Sequence, residues 1–102
     1  MNIVLVRQGK VELYNSNGSF VRIVCSGNNA VSADLSADES KVLVTTANGK
    51  VELLTSKGSF IRNITSTNAV DARWSGGDIL VKTANGKTEL LRESGSLIRT
   101  FA

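Results

Sequence analysis

Hydrophobic and polar residues alternate along most of the chain, in short runs separated by Gly, Asn, Ser and Asp. An alternation with a period of two residues is typical of β-strands, and no segment shows a sustained helical period. The pattern predicts eleven strands: Ile3–Arg7, Lys10–Asn15, Ser19–Val24, Ala30–Ser36, Lys41–Thr46, Lys50–Thr55, Ser59–Thr65, Ala69–Ser75, Asp78–Thr83, Lys87–Arg92 and Ser96–Phe101.

Part of this pattern is an internal repeat. The segment Val42–Ile64 returns 37 residues later as Ile79–Phe101, with 14 of 23 positions identical. A more divergent third copy begins at Val4, and its first turn, Gln8-Gly9, is two residues shorter than the corresponding Thr-Ala-Asn-Gly turns. Self-similarity at a fixed period indicates an architecture built of repeated units.

Two turns define the register within each repeat. Asn48-Gly49 lies between runs rich in Val, Leu and Thr, which predicts a two-residue type I′ hairpin turn and places Val44 opposite Leu53. The next turn, Ser56-Lys57-Gly58, predicts a three-residue loop with Gly58 in the left-handed region.

The second turn also predicts cross-strand partners. Its register sets a glutamate opposite an arginine in all three copies: Glu12 and Arg22, Glu52 and Arg62, Glu89 and Arg99. A cross-strand ion pair contributes about 0.2–1 kcal/mol. We interpret these residues as structural pairs in preference to a ligand site.

The spacing of the strands is that of propeller blades, which contain four antiparallel strands in about 40 residues. The segment Asn68–Asp78, NAVDARWSGGD, resembles the innermost strand and following turn of WD-repeat propellers, and the next three strands resemble the outer three. Leu54-Thr55 and Leu91-Arg92 replace the Trp-Asp dipeptide of that family, and the Gly-His pair is missing because the chain has no histidine. The resemblance implies a propeller of this general type and not a typical family member.

The strand count predicts an incomplete ring. We expect a single domain, 1–102, with blades at about 1–25, 26–65 and 66–102. The first blade has three strands and lacks the innermost one, because Met1–Asn2 leave no room for it. Three blades would expose two apolar end faces, and closed propellers have about four to eight blades. We therefore expect an all-β partial propeller that forms a six-bladed ring as a homodimer.

Composition and charge narrow the functional classes. With no His and one Cys, the chain lacks most catalytic templates, so we expect no enzyme activity, no cofactor and no metal site; Asp38-Glu39 is expected to be a solvated turn. The net charge of +3 is spread along the repeats, which argues against nucleic acid as a partner. The chain shows no signal peptide and no membrane-spanning run, and its one cysteine excludes an internal disulfide; these features favour the cytoplasm and argue against a membrane partner.

The predicted inner strands carry the remaining candidate contacts. Val31, Ala33 and Leu35 form one expected apolar face, and Val70, Ala72 and Trp74 repeat it. Asp34 and Arg73 occupy equivalent positions, so we expect an ion pair between blades there. Trp74 is expected to be a core residue in preference to a sugar platform, and Cys25 a small buried hydrophobe.

The family resemblance also implies a binding surface at the loops between blades and at the turns between second and third strands. The residues on these segments are Asn28, Asn29, Asn48, Lys50, Thr67, Asn68, Asn85 and Lys87. Ordinary turn chemistry favours the same residue types.

Two functions remain open: a self-assembling binding or scaffold module for protein or peptide, and a lectin-like propeller that binds glycans through repeated loops. The unpaired edge of Ile3–Arg7 is a further candidate site for an extended peptide, and the alternative is that burial inside the channel shields this edge and leaves water on its amides.

Overall fold

Eleven antiparallel strands make up most of the described residues, which are 2–27, 29–65 and 68–101 of a computed structural model. The strands are β1 Asn2–Arg7, β2 Lys10–Asn15, β3 Phe20–Cys25, β4 Ala30–Leu35, β5 Lys41–Thr46, β6 Val51–Thr55, β7 Phe60–Thr65, β8 Ala69–Ser75, β9 Asp78–Thr83, β10 Thr88–Leu91 and β11 Leu97–Phe101. Every predicted strand is present, and each observed end lies within one residue of its predicted position.

These strands form three separate sheets in sequence order. The first contains β1–β3, the second β4–β7 and the third β8–β11, and we refer to them as blades 1, 2 and 3. Neighbouring strands in each sheet are consecutive in the chain, because tight turns join them. The predicted all-β partial propeller is therefore confirmed. Among the described residues β1 pairs only with β2, so it is an edge strand.

The hydrophobic core is divided between the two boundaries of blade 2. We call the side of a blade that points to the next blade its front face, and the opposite side its back face. The boundary between blades 1 and 2 buries Val11, Leu13, Val24, Ala30, Val42, Val44 and Leu54. The boundary between blades 2 and 3 buries Leu43, Val51, Leu53, Ile64, Ala69, Ala72, Ile79, Val81 and Leu91. Each fully buried Val or Leu contributes about 1.5–3 kcal/mol, so packing between blades dominates the stability.

The turn after β5 differs from the prediction. Its loop has three residues, Ala47-Asn48-Gly49, because Thr46 N donates to Lys50 O at 2.9 Å and Gly49 N donates to Thr46 O at 3.1 Å. Within this loop only Gly49 has a positive φ, of 87°, whereas a type I′ turn requires two such residues. The predicted two-residue turn is therefore wrong, and Val44 lies opposite Glu52 instead of Leu53.

The two-residue turn is found in blade 1 instead. Gln8 and Gly9 both have positive φ, of 54° and 77°, and Arg7 pairs directly with Lys10. This turn is only one residue shorter than its counterparts, not two. As a result Ile3, and not Val4, is the structural equivalent of Val42.

The second predicted turn is confirmed in blade 2. Thr55 N donates to Ser59 O at 2.8 Å, and Gly58 has a φ of 100°. Beyond this turn, however, Leu54 pairs with Phe60 and Leu53 with Arg62, which leaves Ile61 as an extra residue in a β-bulge. Val21 and Ile98 are the extra residues at the same place in blades 1 and 3.

These bulges overturn the three predicted ion pairs. Each bulge shifts the register by one residue, so the partners of Glu12, Glu52 and Glu89 are Ile23, Asn63 and Thr100 and not Arg22, Arg62 and Arg99. Glu12 instead accepts a hydrogen bond from the Tyr14 hydroxyl at 2.8 Å. Arg62 donates to the backbone oxygen of Glu93 in blade 3 at 3.3 Å. Arg62 therefore contacts the next blade, not its own.

Bulges also change which side chains of the inner strands β4 and β8 face the core. The register shifts at Val31 and Val70, and both side chains are exposed, contrary to prediction. Ala72 is buried and Trp74 packs against the core between blades 2 and 3. Ala33, Leu35 and the half-buried Cys25 pack against the core between blades 1 and 2.

Candidate functional site

Six of the residues proposed from the sequence as a binding surface are described by the structure, and they lie on loops and turns at one edge of the blades. Asn28 and Thr67 lie outside the described residues. The backbone oxygen of Asn29 accepts from Ala47 N at 2.7 Å, and that of Asn68 accepts from Ala84 N at 2.8 Å. The start of each inner strand is thus hydrogen-bonded to the turn between β5 and β6 or between β9 and β10. We call this edge, comprising residues 29, 47–50, 68 and 84–87, the rim.

Blades 2 and 3 meet closely at the rim. Ala69 N donates to Gly49 O at 3.0 Å, and a Cβ atom added to Gly49 would lie 2.9 Å from Asn68 N. A shallow cavity of about 290 Å³ is lined there by Asn48, Gly49, Asn68 and their neighbours. The structure therefore brings Asn48 and Asn68 together at a boundary between blades.

Side chains of the rim also form hydrogen bonds within their own turns. The Thr46 hydroxyl donates to the Asn48 side-chain oxygen and accepts from Lys50 N at 3.2 Å. The same arrangement recurs in blade 3, where the Thr83 hydroxyl donates to Asn85 and accepts from Lys87 N at 3.3 Å. These contacts stabilise the turns, and turn stability alone explains why the sequence Thr-Ala-Asn-Gly-Lys is repeated. No ligand is needed to explain the repeat.

A second candidate site lies at the inner edge of blade 1. A cavity of about 320 Å³ is lined by the start of β1, the end of β4 and the turn at 36–39. At its border Asn2 N donates to the carboxylate of Glu39 at 3.2 Å. The sequence indicated the unpaired edge of β1, but it gave no sign that Glu39 reaches it, because the two residues are 37 positions apart.

The contact between the inner strands differs from the predicted ion pair. The Asp34 carboxylate accepts the backbone N–H of Trp74 at 2.8 Å, and the Asp34 carbonyl accepts the Trp74 indole N–H at 3.2 Å. Arg73 Nε lies 3.6 Å from Asp71 Oδ2, and the Arg73 side chain is 76% exposed. The expected pair of Asp34 with Arg73 is therefore wrong, since the carboxylate is engaged by the neighbouring backbone. Trp74 is partly buried and packs against the core between blades 2 and 3.

The acidic turn between β4 and β5 is organised by its own serines. Asp38 accepts from the hydroxyls of Ser40 and Ser36 at 2.7 Å each and from Ser40 N at 3.0 Å. The Ser40 hydroxyl, followed by that of Ser36, lowers the pKa of Asp38 from 3.8 to about 2. In the part of the chain that the structure describes, no three His, Cys, Asp or Glu side chains are grouped to hold a metal ion. The described residues also contain no helix with the length and hydropathy needed to cross a membrane.

The fold and its repeated blade contacts define the class of protein. The chain consists of β-propeller blades with the WD40-like arrangement of strands. Two solved structures share it: BamB from Moraxella catarrhalis, with a TM-score of 0.75 and 20% identity over 98% of this chain, and the C-terminal WD40 domain of Sif2, with a TM-score of 0.68 and 16% identity over 97%. This chain spans 32% and 33% of those two chains, respectively. Comparisons with family models and with curated proteins give no match.

Proposed function

We propose that the chain is a non-catalytic binding module for protein or peptide, and that two copies join end to end in a six-bladed ring. Propellers of the WD40 type generally act as protein-interaction scaffolds, which supports the first part by analogy of fold. The second part is supported by the two end faces of the chain, which match the two halves of an interface between blades.

The front face of blade 3 is one half of this interface. Leu80, Leu90 and Phe101 correspond by register to Leu43, Leu53 and Ile64, which blade 3 buries on the front face of blade 2. Leu80 and Leu90 remain partly accessible, and Phe101 is 45% exposed. An apolar face of this kind favours a covering partner.

The back face of blade 1 is the other half. Ile3, Leu5 and Tyr14 correspond by register to Val42, Val44 and Leu54, which lie buried on the back face of blade 2. Ile3 is 47% exposed and Leu5 43%. The side chains that would meet across a closed boundary are therefore apolar at both ends of the chain.

Glycines give an independent indication of the same boundary. A Cβ atom on Gly58 would lie 2.8 Å from Val24 O, and one on Gly95 would lie 3.2 Å from Ile64 O, so these turns pack on the preceding blade's outer strand. Gly18 is the equivalent glycine in blade 1, and a Cβ atom there meets nothing within 4 Å. Phe101 carries the equivalent carbonyl. A second copy would bring Phe101 O to Gly18 and complete the series.

Two copies supply six blades, which falls within the range of closed propellers. Native mass spectrometry at micromolar concentration should give twice the chain mass of 10.8 kDa. Leu90→Lys should yield monomers, because a charge would enter the junction. The matched control Phe60→Lys, on an already exposed outer-strand residue, should leave the mass doubled. A wild-type monomer, or a trimer, would contradict the six-bladed ring.

The rim is the proposed surface for partners of the complete ring, through Asn29, Asn48, Lys50, Asn68, Asn85 and Lys87. The alternative is a lectin-like function, which is favoured only by the identical turns at Asn48 and Asn85 in two blades. A glycan array distinguishes the two functions: selective binding that is lost in Asn48→Ala together with Asn85→Ala would favour the lectin. Absence of glycan binding favours a protein or peptide partner.

A further inference from the structure

We infer that the vacant inner position of blade 1 accepts an extended segment of a partner protein as a fourth strand. This inference rests on the proposed binding function and names a site and a ligand pattern for it. The incoming segment should follow the pattern of β4, with Ala, two variable residues, Ala, Asp and a large apolar residue.

Blades 2 and 3 show how this position is filled elsewhere in the chain. In blade 2, β4 pairs with β5, and Asp34 and Leu35 lie opposite Leu43 and Val42. In blade 3, β8 pairs with β9 in the same register. Val4 and Ile3 are the equivalents of Leu43 and Val42, so an incoming Asp-Leu pair would lie opposite them. Among residues 2–27, 29–65 and 68–101, β2 is the only strand paired with β1.

The available space lies where such a segment would enter. The cavity of about 320 Å³ is bounded by Asn2, Ile3 and Val4 on one side and by Ala33, Asp34 and Leu35 on the other. The first group belongs to the free edge of β1. The second belongs to the inner strand of the next blade, which an inner strand of blade 1 would contact. The cavity therefore has one wall that can pair with a backbone and one that can recognise side chains.

An acceptor side chain is the most specific requirement on the ligand. In the filled boundary, the Asp34 carboxylate accepts Trp74 N–H at 2.8 Å. Leu35 is the equivalent of Trp74, so by the same register its N–H should face the vacant position. A carboxylate on the incoming residue opposite Val4 would accept a hydrogen bond from this N–H. The position before this acceptor is Ala in both inner strands, Ala33 and Ala72, which indicates that a small residue is needed there.

Glu39 occupies part of this position in the free chain. In blade 2 the amide at the start of β5, Lys41 N, donates to the Ser36 hydroxyl at the end of the inner strand, at 3.1 Å. In blade 1 the equivalent amide, Asn2 N, donates to the Glu39 carboxylate at 3.2 Å. Glu39 therefore provides from the neighbouring blade an acceptor that an inner strand would otherwise provide. A bound segment should displace this contact.

The test uses the intact protein and a capped synthetic peptide with the sequence of residues 29–36, NAVSADLS. We expect one peptide per chain in native mass spectra, and shifts of the Asn2, Val4 and Leu35 amides in NMR titrations. A peptide with the Asp replaced by Ala should bind at least about tenfold more weakly, because the charged acceptor is lost. Glu39→Asn shortens the competing side chain while tolerating the φ of 63°, and should strengthen binding by about two- to tenfold.

Val4→Pro removes an amide from the free edge and should abolish binding, whereas the matched control Val4→Ala keeps that amide and should retain it. If Val4→Pro does not fold, Glu39→Asn and the Ala-substituted peptide still test the site. The inference fails if no peptide binds, if the bound peptide shifts other amides only, or if both peptides bind equally. The same spectra report the chain mass, so failure to form the ring is recorded separately from failure to bind.

Discussion

Asp34 accepts the backbone N–H of Trp74 at 2.8 Å, across the boundary between blades 2 and 3. The Trp74 indole donates a second hydrogen bond, to the Asp34 carbonyl at 3.2 Å, so a pair of hydrogen bonds from Trp74 to Asp34 joins the two inner strands. The Ser32 hydroxyl also donates to Asp71 between the same two strands, at 2.9 Å, and the rest of the boundary combines apolar packing, which is not directional, with a few polar contacts. We infer that the pair fixes the position of one inner strand relative to the other.

Removing the Asp34 acceptor should therefore destabilise the fold. Asp34→Ala leaves the Trp74 N–H without its partner, and a lost hydrogen bond of this type costs about 1–3 kcal/mol. Asp34→Asn retains an acceptor oxygen and should lose less than half as much. Urea denaturation followed by Trp74 fluorescence measures both values. Equal stability of Asp34→Ala and the wild type would show that the contact does not stabilise the boundary.

Gly58 should tolerate substitution less than its neighbour Lys57. Its φ of 100° strains any β-branched residue, and a Cβ atom would also lie 2.8 Å from Val24 O. We expect Gly58→Val to cost more than about 2 kcal/mol, and Lys57→Ala, on an exposed side chain, to change stability by less than about 0.5 kcal/mol. Thermal melts compare them directly, and equal melting temperatures would exclude this explanation of the turn.

Gly18 provides a separate test of the ring. Its φ of 89° is similar to that of Gly58, but a Cβ atom there meets nothing within 4 Å in the single chain. Gly18→Ala should therefore cost only the backbone strain, about 1 kcal/mol, while it weakens dimerisation at least about tenfold through a clash with Phe101 O of the second copy. Sedimentation at several concentrations measures the second effect. An unchanged dimer affinity would mean that Gly18 lies outside any junction.

Asp38 should titrate well below an ordinary aspartate. The hydroxyls of Ser40 and Ser36 favour the charged form in the folded state and lower its pKa to about 2. The resulting stabilisation is complete above pH 3.8 and is lost as the pH falls toward 2. An NMR titration of the Asp38 carboxyl should have its midpoint near 2, and Ser40→Ala should raise that midpoint. A midpoint of 3.8 in the wild type would show that the serines do not hold the carboxylate.

The strands and most turns could be predicted from the sequence, because alternation and glycine positions are local signals. The bulges at Ile61 and its two equivalents could not, since the extra residue is an ordinary apolar one that carries no local signal for a bulge. A shift of one residue exchanges the faces of a strand. Because the bulges were not predicted, the register beyond them was wrong, and so were all three predicted ion pairs.

The candidate sites were predictable to different degrees. The rim follows from turn composition, and the structure places Asn48 beside Asn68. The partners of Asp34 and Glu39 were not predictable, because both are backbone N–H groups of another blade. A carboxylate in an inner strand was the available signal at Asp34, but the sequence offered a nearby arginine as its partner. Backbone donors carry no sequence signature and require the fold.

The turns at Gly58 and Gly95 pack against the preceding blade, whereas a Cβ atom on Gly18 would meet nothing within 4 Å. The two ends of the chain therefore differ from each other. In the proposed ring, assembly has a direction, because each end of the chain would fit only the opposite end of another copy. It stops only if the rotations between successive blades add up to one full turn. A substitution that alters the angle between two blades, for example at Trp74, would leave both end faces able to bind another copy but would prevent closure of the ring. The same contacts would then extend without limit, and the proposed ring would be replaced by a helical filament.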